Sequence, residues 1–168
     1  MDKIIASIRK ALSDKNHHAA LFVALTLPDI CAALEHGSAT GARYAAWFET
    51  NLPDYKGFLS GRDCYALRCS LLHQGKDDIS EQRIREVLEH YVFLESGAHC
   101  NLFADISING EDLSFLQLNA AAFCEDLCRA AETWISSVSS NTDIRNRLKS
   151  TIKIHKPGYI YKGIIRFN

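Results

Sequence analysis

The residues with the clearest chemical potential lie close together in one segment, Asp63-Cys64-Tyr65-Ala66-Leu67-Arg68-Cys69-Ser70-Leu71-Leu72-His73-Gln74-Gly75. This segment predicts a helix, with Asp63 as its cap and Gly75 as its stop. At about 100° per residue, Cys64, Leu67, Leu71 and Gln74 form one stripe. Tyr65, Arg68, Cys69, Leu72 and His73 form the neighbouring one. An arginine and a histidine are thereby held near each other beside a run of core residues. Imidazole as a class titrates near neutral pH, so it can take a proton from a ribose 2′-hydroxyl or give one to a leaving oxygen. Guanidinium stays charged and offers a planar fork to phosphate oxygens. Together they suit cleavage of a phosphodiester, a chemistry that requires no metal and no other cofactor. One such pair is a thin active site. Two copies facing each other across a two-fold axis supply an acid, a base and two cations. Tyr65, Cys69 and Ser70 are the candidate supporting residues. The same pattern also has a plain structural reading, in which Arg68 pairs with an acid on a neighbouring helix and His73 complements the dipole at its helix C-terminus.

Other chemistry-bearing residues weigh less. Cys124 and Cys128 sit one turn apart, but no CxxC or HxxxH spacing accompanies them, and Phe123, Leu127 and Trp134 on the same helix mark them as core thiols. Cys69 beside His73 lacks a third group to orient a thiolate pair. His17-His18 reads as a solvated helix start. Arg43, Tyr44, Trp47 and Glu49 can border the Arg68–His73 cleft, with Tyr44 and Trp47 either as base-stacking rings or, more simply, as core.

Elements that must position these residues follow from periodicity. Residues 2–13 carry Ile4, Ile5, Ile8, Ala11 and Leu12 at helical spacing. Asn16 can cap a second helix, and Pro28-Asp29 reads as the first turn of a restart that ends near Glu35, with Gly37 as the stop. A helix is expected over 39–50, a connector from Asn51 to Gly61, the motif helix over 63–74, and a further helix from Ser80 through Arg83, Ile84, Val87 and Leu88 to about His90. The pattern then changes to strands. Tyr91-Val92-Phe93-Leu94 is one. Asn101 to Ile108 alternates and runs into Asn109-Gly110, a strong hairpin signal, with Ser114 to Leu118 as the partner. Residues 119–138 return to helix, and Ile164 to Phe167 can form a short strand. The expected fold class is mainly α, a helical bundle with a small antiparallel β insertion near 91–118.

With 168 residues, the chain has the size of one domain and needs no staples to fold. Its net charge of −1 hides an uneven distribution. Residues 143–168 hold seven Lys/Arg and one acid, Asp143, a balance of +6, whereas residues 1–142 carry −7. The division is a domain over 1–142 and a basic extension over 143–168 packed on it, or on a partner's acidic body. Six cysteines with no export signal ahead of them are expected to be free thiols, and the apolar stretch 19–34 is too short and interrupted to span a bilayer. The expectation is a cytoplasmic protein with no membrane contact.

Leu67-Arg68-Cys69-Ser70-Leu71-Leu72-His73 resembles the R-x4–6-H signature of the HEPN superfamily. Leu27-Pro28-Asp29-Ile30-Cys31, Arg43-Tyr44-Ala45-Ala46-Trp47-Phe48, Leu59-Ser60-Gly61-Arg62-Asp63-Cys64-Tyr65-Ala66-Leu67-Arg68 and Phe123-Cys124-Glu125-Asp126-Leu127-Cys128 resemble segments of uncharacterised bacterial HEPN-like proteins. The similarity covers roughly 16–138. It implies a helical bundle that forms a homodimer and, in many members, a metal-independent ribonuclease of toxin–antitoxin or defence systems. The substrate would be RNA, the catalytic residues Arg68 and His73, and an antitoxin or other protein a partner. Active members usually carry a polar residue after the arginine; here it is Cys69, a weak hydrogen-bond partner. The resemblance therefore also admits a non-catalytic module that binds RNA, a nucleotide or a protein.

Overall fold

The computed structural model describes residues 1–76, 90–161 and 164–167. Helix α1 (Asp2–Ser13) buries Ile5 and Ile8 and carries Asp2 in its first turn and Lys10 in its last, each sign suited to its end of the dipole. Asn16 caps α2 (His17–Ala24), its side chain accepting from the Ala19 amide. The chain turns at Leu25-Thr26 and restarts as α3 (Leu27–His36), with Pro28 in the first turn where its missing N–H costs nothing. Gly37, at φ 82°, ends it. The stretch His17–His36 has a mean hydropathy of 1.4, long and apolar enough by composition to cross a membrane, and half of it is buried in the protein's own core.

Thr40 caps α4 (Gly41–Asn51), and a 3-10 turn, Pro53–Tyr55, leads to α5 (Gly61–Gln74). The cap of α5 is Ser60 rather than Asp63, because the helix starts two residues earlier than the spacing predicts. The Ser60 hydroxyl accepts from the Asp63 amide and donates to its carboxylate, 3.0 Å in each case. Gly61 is where α5 presses on α4. A Cβ there would lie 2.3 Å from the Ala45 carbonyl oxygen. Gly75 closes the helix at φ 67°.

Strands β1 (His90–Leu94), β2 (Asn101–Ile108) and β3 (Glu111–Asn119) form one sheet in the order β1-β3-β2. The insertion is therefore mixed, not purely antiparallel. Asn109 and Gly110, both at positive φ, turn β2 into its antiparallel partner β3. The connection over 95–100 hops across the end of β3, which inserts between β1 and β2 and so lies parallel to β1. Tyr91, Leu116 and Leu118 carry the sheet into the core. The helix expected over Ser80–Leu88 lies outside the described residues; His90, at its expected end, opens β1.

Helix α6 (Ala120–Ser137) is capped by Asn119 and buries Phe123, Cys124, Leu127, Cys128, Ala131 and Trp134. It packs with Leu25, Leu27, Tyr44, Phe48 and Leu67 into one core. The basic extension begins with α7 (Thr142–Lys149), whose Ile144 is buried. Arg147 donates to the carbonyls of Leu34 (2.7 Å) and Glu35 (2.8 Å). A cation thus serves the C-terminal carbonyls of α3. Beyond it, β4 (Tyr159–Tyr161) and β5 (Ile165–Phe167) form a separate antiparallel pair.

Candidate functional site

Arg68 and His73 meet on the outer side of α5. The motif helix turns Cys64, Leu67, Ser70 and Leu71 inward, which leaves Tyr65, Arg68, Cys69 and Leu72 partly covered and His73 exposed. Arg68 Nη1 lies 3.4 Å from His73 Nε2. Arginine has only donors, so a hydrogen bond between the two would have the imidazole nitrogen as acceptor. An imidazole nitrogen therefore sits beside a fixed positive charge. The arginine is aimed from its other side: Asp29 Oδ2, in the first turn of α3, accepts from Arg68 Nε at 2.8 Å. Both side chains are largely covered, Arg68 with 22% and Asp29 with 17% of its surface exposed.

The surroundings set the charges. Burial penalises the Asp29 carboxylate more than Arg68 rewards it, so its pKa is raised. Burial also works against the Arg68 charge, but Asp29 and Cys69 outweigh it and its pKa rises further. The guanidinium carbon stands 5.9 Å from the Tyr65 ring centroid, within cation–π range. Burial, and then the adjacent Cys69, raise the Tyr65 hydroxyl and keep it protonated. Behind it, Tyr65 tilts against Tyr44 at 5.2 Å, and Tyr44 is tied to the Leu25 carbonyl and the Cys64 thiol. One continuous arrangement thus links α3, α4 and α5 beneath the pair.

No protein-family model, curated protein or solved structure matches the chain.

The other candidates sort by burial. Ser70 is wholly buried and faces the core, so it does not share the Arg68–His73 surface. Tyr44 and Trp47 are buried too, and the stacking role fails for both; Trp47 instead meets Trp134 edge-on at 6.3 Å. Arg43 bonds Ser38, and Glu49 accepts from the Gly61 amide, where it holds the start of α5. All six cysteines are free. Burial pushes Cys124 and Cys128 up to about 12, which fits inert core thiols. Among the described residues no group of three or more His, Cys, Asp or Glu is placed to hold a metal ion. His17 is half-buried rather than solvated, and its Nδ1 is enclosed without a partner.

Sequence reasoning named the acid on a neighbouring helix only in general terms; Asp29 fills that role. Its signal was its place in the first turn of the restarted helix. A second polar cluster had no local signal. Tyr55 donates to Asp126 Oδ2 (2.9 Å) and lies 2.8 Å from His99 Nε2, while His99 Nδ1 accepts from the Asn119 amide. These residues span 55–126 in the chain and pin the 95–100 connection to α6.

Proposed function

We propose that this chain is a HEPN-like ribonuclease of the toxin or defence type, which cuts RNA without a metal at a site built from Arg68 and His73 of two copies. The reading is carried by one observation: an imidazole nitrogen 3.4 Å from a guanidinium that Asp29 holds in place, on a solvent-facing helix side. In the proposed reaction His73 takes the proton of a ribose 2′-hydroxyl. The 2′-oxygen bonds to phosphorus, the bond from phosphorus to the 5′-oxygen breaks, and the leaving oxygen takes a proton from the His73 of the second copy. Arg68 stabilises the charge that grows on the non-bridging oxygens. The products are a 2′,3′-cyclic phosphate and a 5′-hydroxyl. Asp29 acts through Arg68 and is a positioning residue. A homodimer in the cytoplasm, held in check by an antitoxin or another protein, belongs to the same reading.

A second reading has an observation of its own. Cys69 takes the position that active HEPN members usually give to a stronger hydrogen-bond partner, which suits a non-catalytic HEPN-like module that binds RNA, a nucleotide or a protein, with Arg68 as a phosphate contact. Incubation with RNA in EDTA separates the two. Cleavage that disappears in both Arg68→Ala and His73→Ala supports the ribonuclease. Intact RNA under all conditions, with binding that Arg68→Ala weakens, supports the module.

A further inference from the structure

We propose that the C-terminal hairpin is a platform for single-stranded RNA. The register of β4 and β5 sets Tyr159 opposite Phe167 and Tyr161 opposite Ile165. Directly paired residues and their next-but-one neighbours share a face, so Tyr159, Tyr161, Ile165 and Phe167 lie on one side, with Ile160 and Arg166 on the other. Tyr161 and Phe167 expose 46% and 55% of their surface. His155 stacks on Tyr159, centroids 3.5 Å apart and planes within 19°. His155, Lys156, Pro157, Tyr159, Tyr161 and Phe167 line an open hollow of about 570 Å³.

Charge chooses among the ligands that would cover such a face. From Ile144 to Asn168 the sequence has seven Lys/Arg and no Asp or Glu. Lys156 lines the hollow beside the rings and, among the described residues, no acid does; a cation next to exposed rings matches a polyanion whose bases stack. Duplexes hide the faces of their bases, which leaves the single strand. Two three-residue strands on their own are marginal, so a bound strand would also order them. The choice of RNA over another single-stranded nucleic acid rests on the ribonuclease reading; the stacking surface does not.

The test is fluorescence anisotropy of the full chain with a labelled 2′-O-methyl RNA 20-mer, which lacks the nucleophile and stays intact. Tyr161→Ala with Phe167→Ala is expected to weaken binding roughly tenfold or more, and Tyr161→Phe to keep it. Lys156→Gln should lower the slope of log affinity against log salt by about 0.7. Unchanged binding in the double variant would overturn the proposal. So would equal affinity for a duplex, or a double variant that loses self-association in sedimentation while it still binds RNA, since the face would then be a protein interface. Binding that depends on the rings without any cleavage in EDTA would keep the platform and remove the ribonuclease.

Discussion

Removal of Asp29 probes the device that aims the guanidinium. Exposed ion pairs contribute about 0.2–1 kcal/mol, while loss of one partner from a fully buried pair costs about 3–5 kcal/mol. The Arg68–Asp29 pair is about four-fifths covered and has a short charge-assisted bond of 2.8 Å. Asp29→Ala should therefore destabilise the protein by about 2 kcal/mol, and the cycle with Arg68→Ala should show coupling of about 1 kcal/mol. Urea unfolding followed by helical circular dichroism, with constant m, measures all four proteins. The pH dependence has a definite sign. The folded pKa of Asp29 is raised, first by burial, with Arg68 opposing. Stability linked to this group is thus fully present below the ordinary carboxylate pKa and falls as pH rises through the folded value. Without Arg68 that fall steepens, so the gap between wild type and Arg68→Ala should widen from pH 3 to pH 7. Single costs that add to within about 0.3 kcal/mol, or a gap that narrows with pH, would refute the positioning role.

Gly61→Ala should cost about 1–3 kcal/mol in the same assay, because its Cβ meets the Ala45 backbone rather than a yielding side chain. Arg9 bridges α1 to Glu125 and Glu132 on α6, and its hydrogen bond holds the Glu132 carboxyl below the usual range. Since these groups are more than a third exposed, Arg9→Ala should cost only about 0.5 kcal/mol. That cost should be present above the ordinary glutamate pKa, vanish as pH falls through the lowered one, and shrink in high salt. Tyr55→Phe leaves Asp126 and His99 short of a partner and should cost about 1–2 kcal/mol, with hydrogen exchange quickening first in the 95–100 connection.

Local signals placed α1 to α6 well, because their stops are chemical, whereas α7 in the basic extension was not anticipated. Asn16, Pro28, Gly37 and Gly75 act through a cap bond, a missing N–H or a left-handed φ, all visible one residue at a time. Asn109-Gly110 marked the β2–β3 hairpin for the same reason. The parallel pairing of β1 was not legible, since it depends on β3 entering between two strands that the chain makes earlier. Side-chain spacing brought Arg68 and His73 to one side of α5, yet could not say which acid would reach the arginine. Asp29 lies 39 residues away and arrives only when α3 packs beside α5. Tyr44 and Trp47 fell to the core because aromatic spacing alone does not tell a packed ring from a stacking platform. Tyr161 and Phe167 stay exposed on the C-terminal hairpin, where two short strands have too little partner surface to bury them.

End-group analysis of RNA cut in EDTA bears most directly on the Arg68–His73 pair. A 2′,3′-cyclic phosphate and a 5′-hydroxyl are expected from the wild-type chain, with no cut product from His73→Ala. A 5′-phosphate product, or equal cleavage by wild type and His73→Ala, would contradict a reaction run by this imidazole and its neighbouring guanidinium.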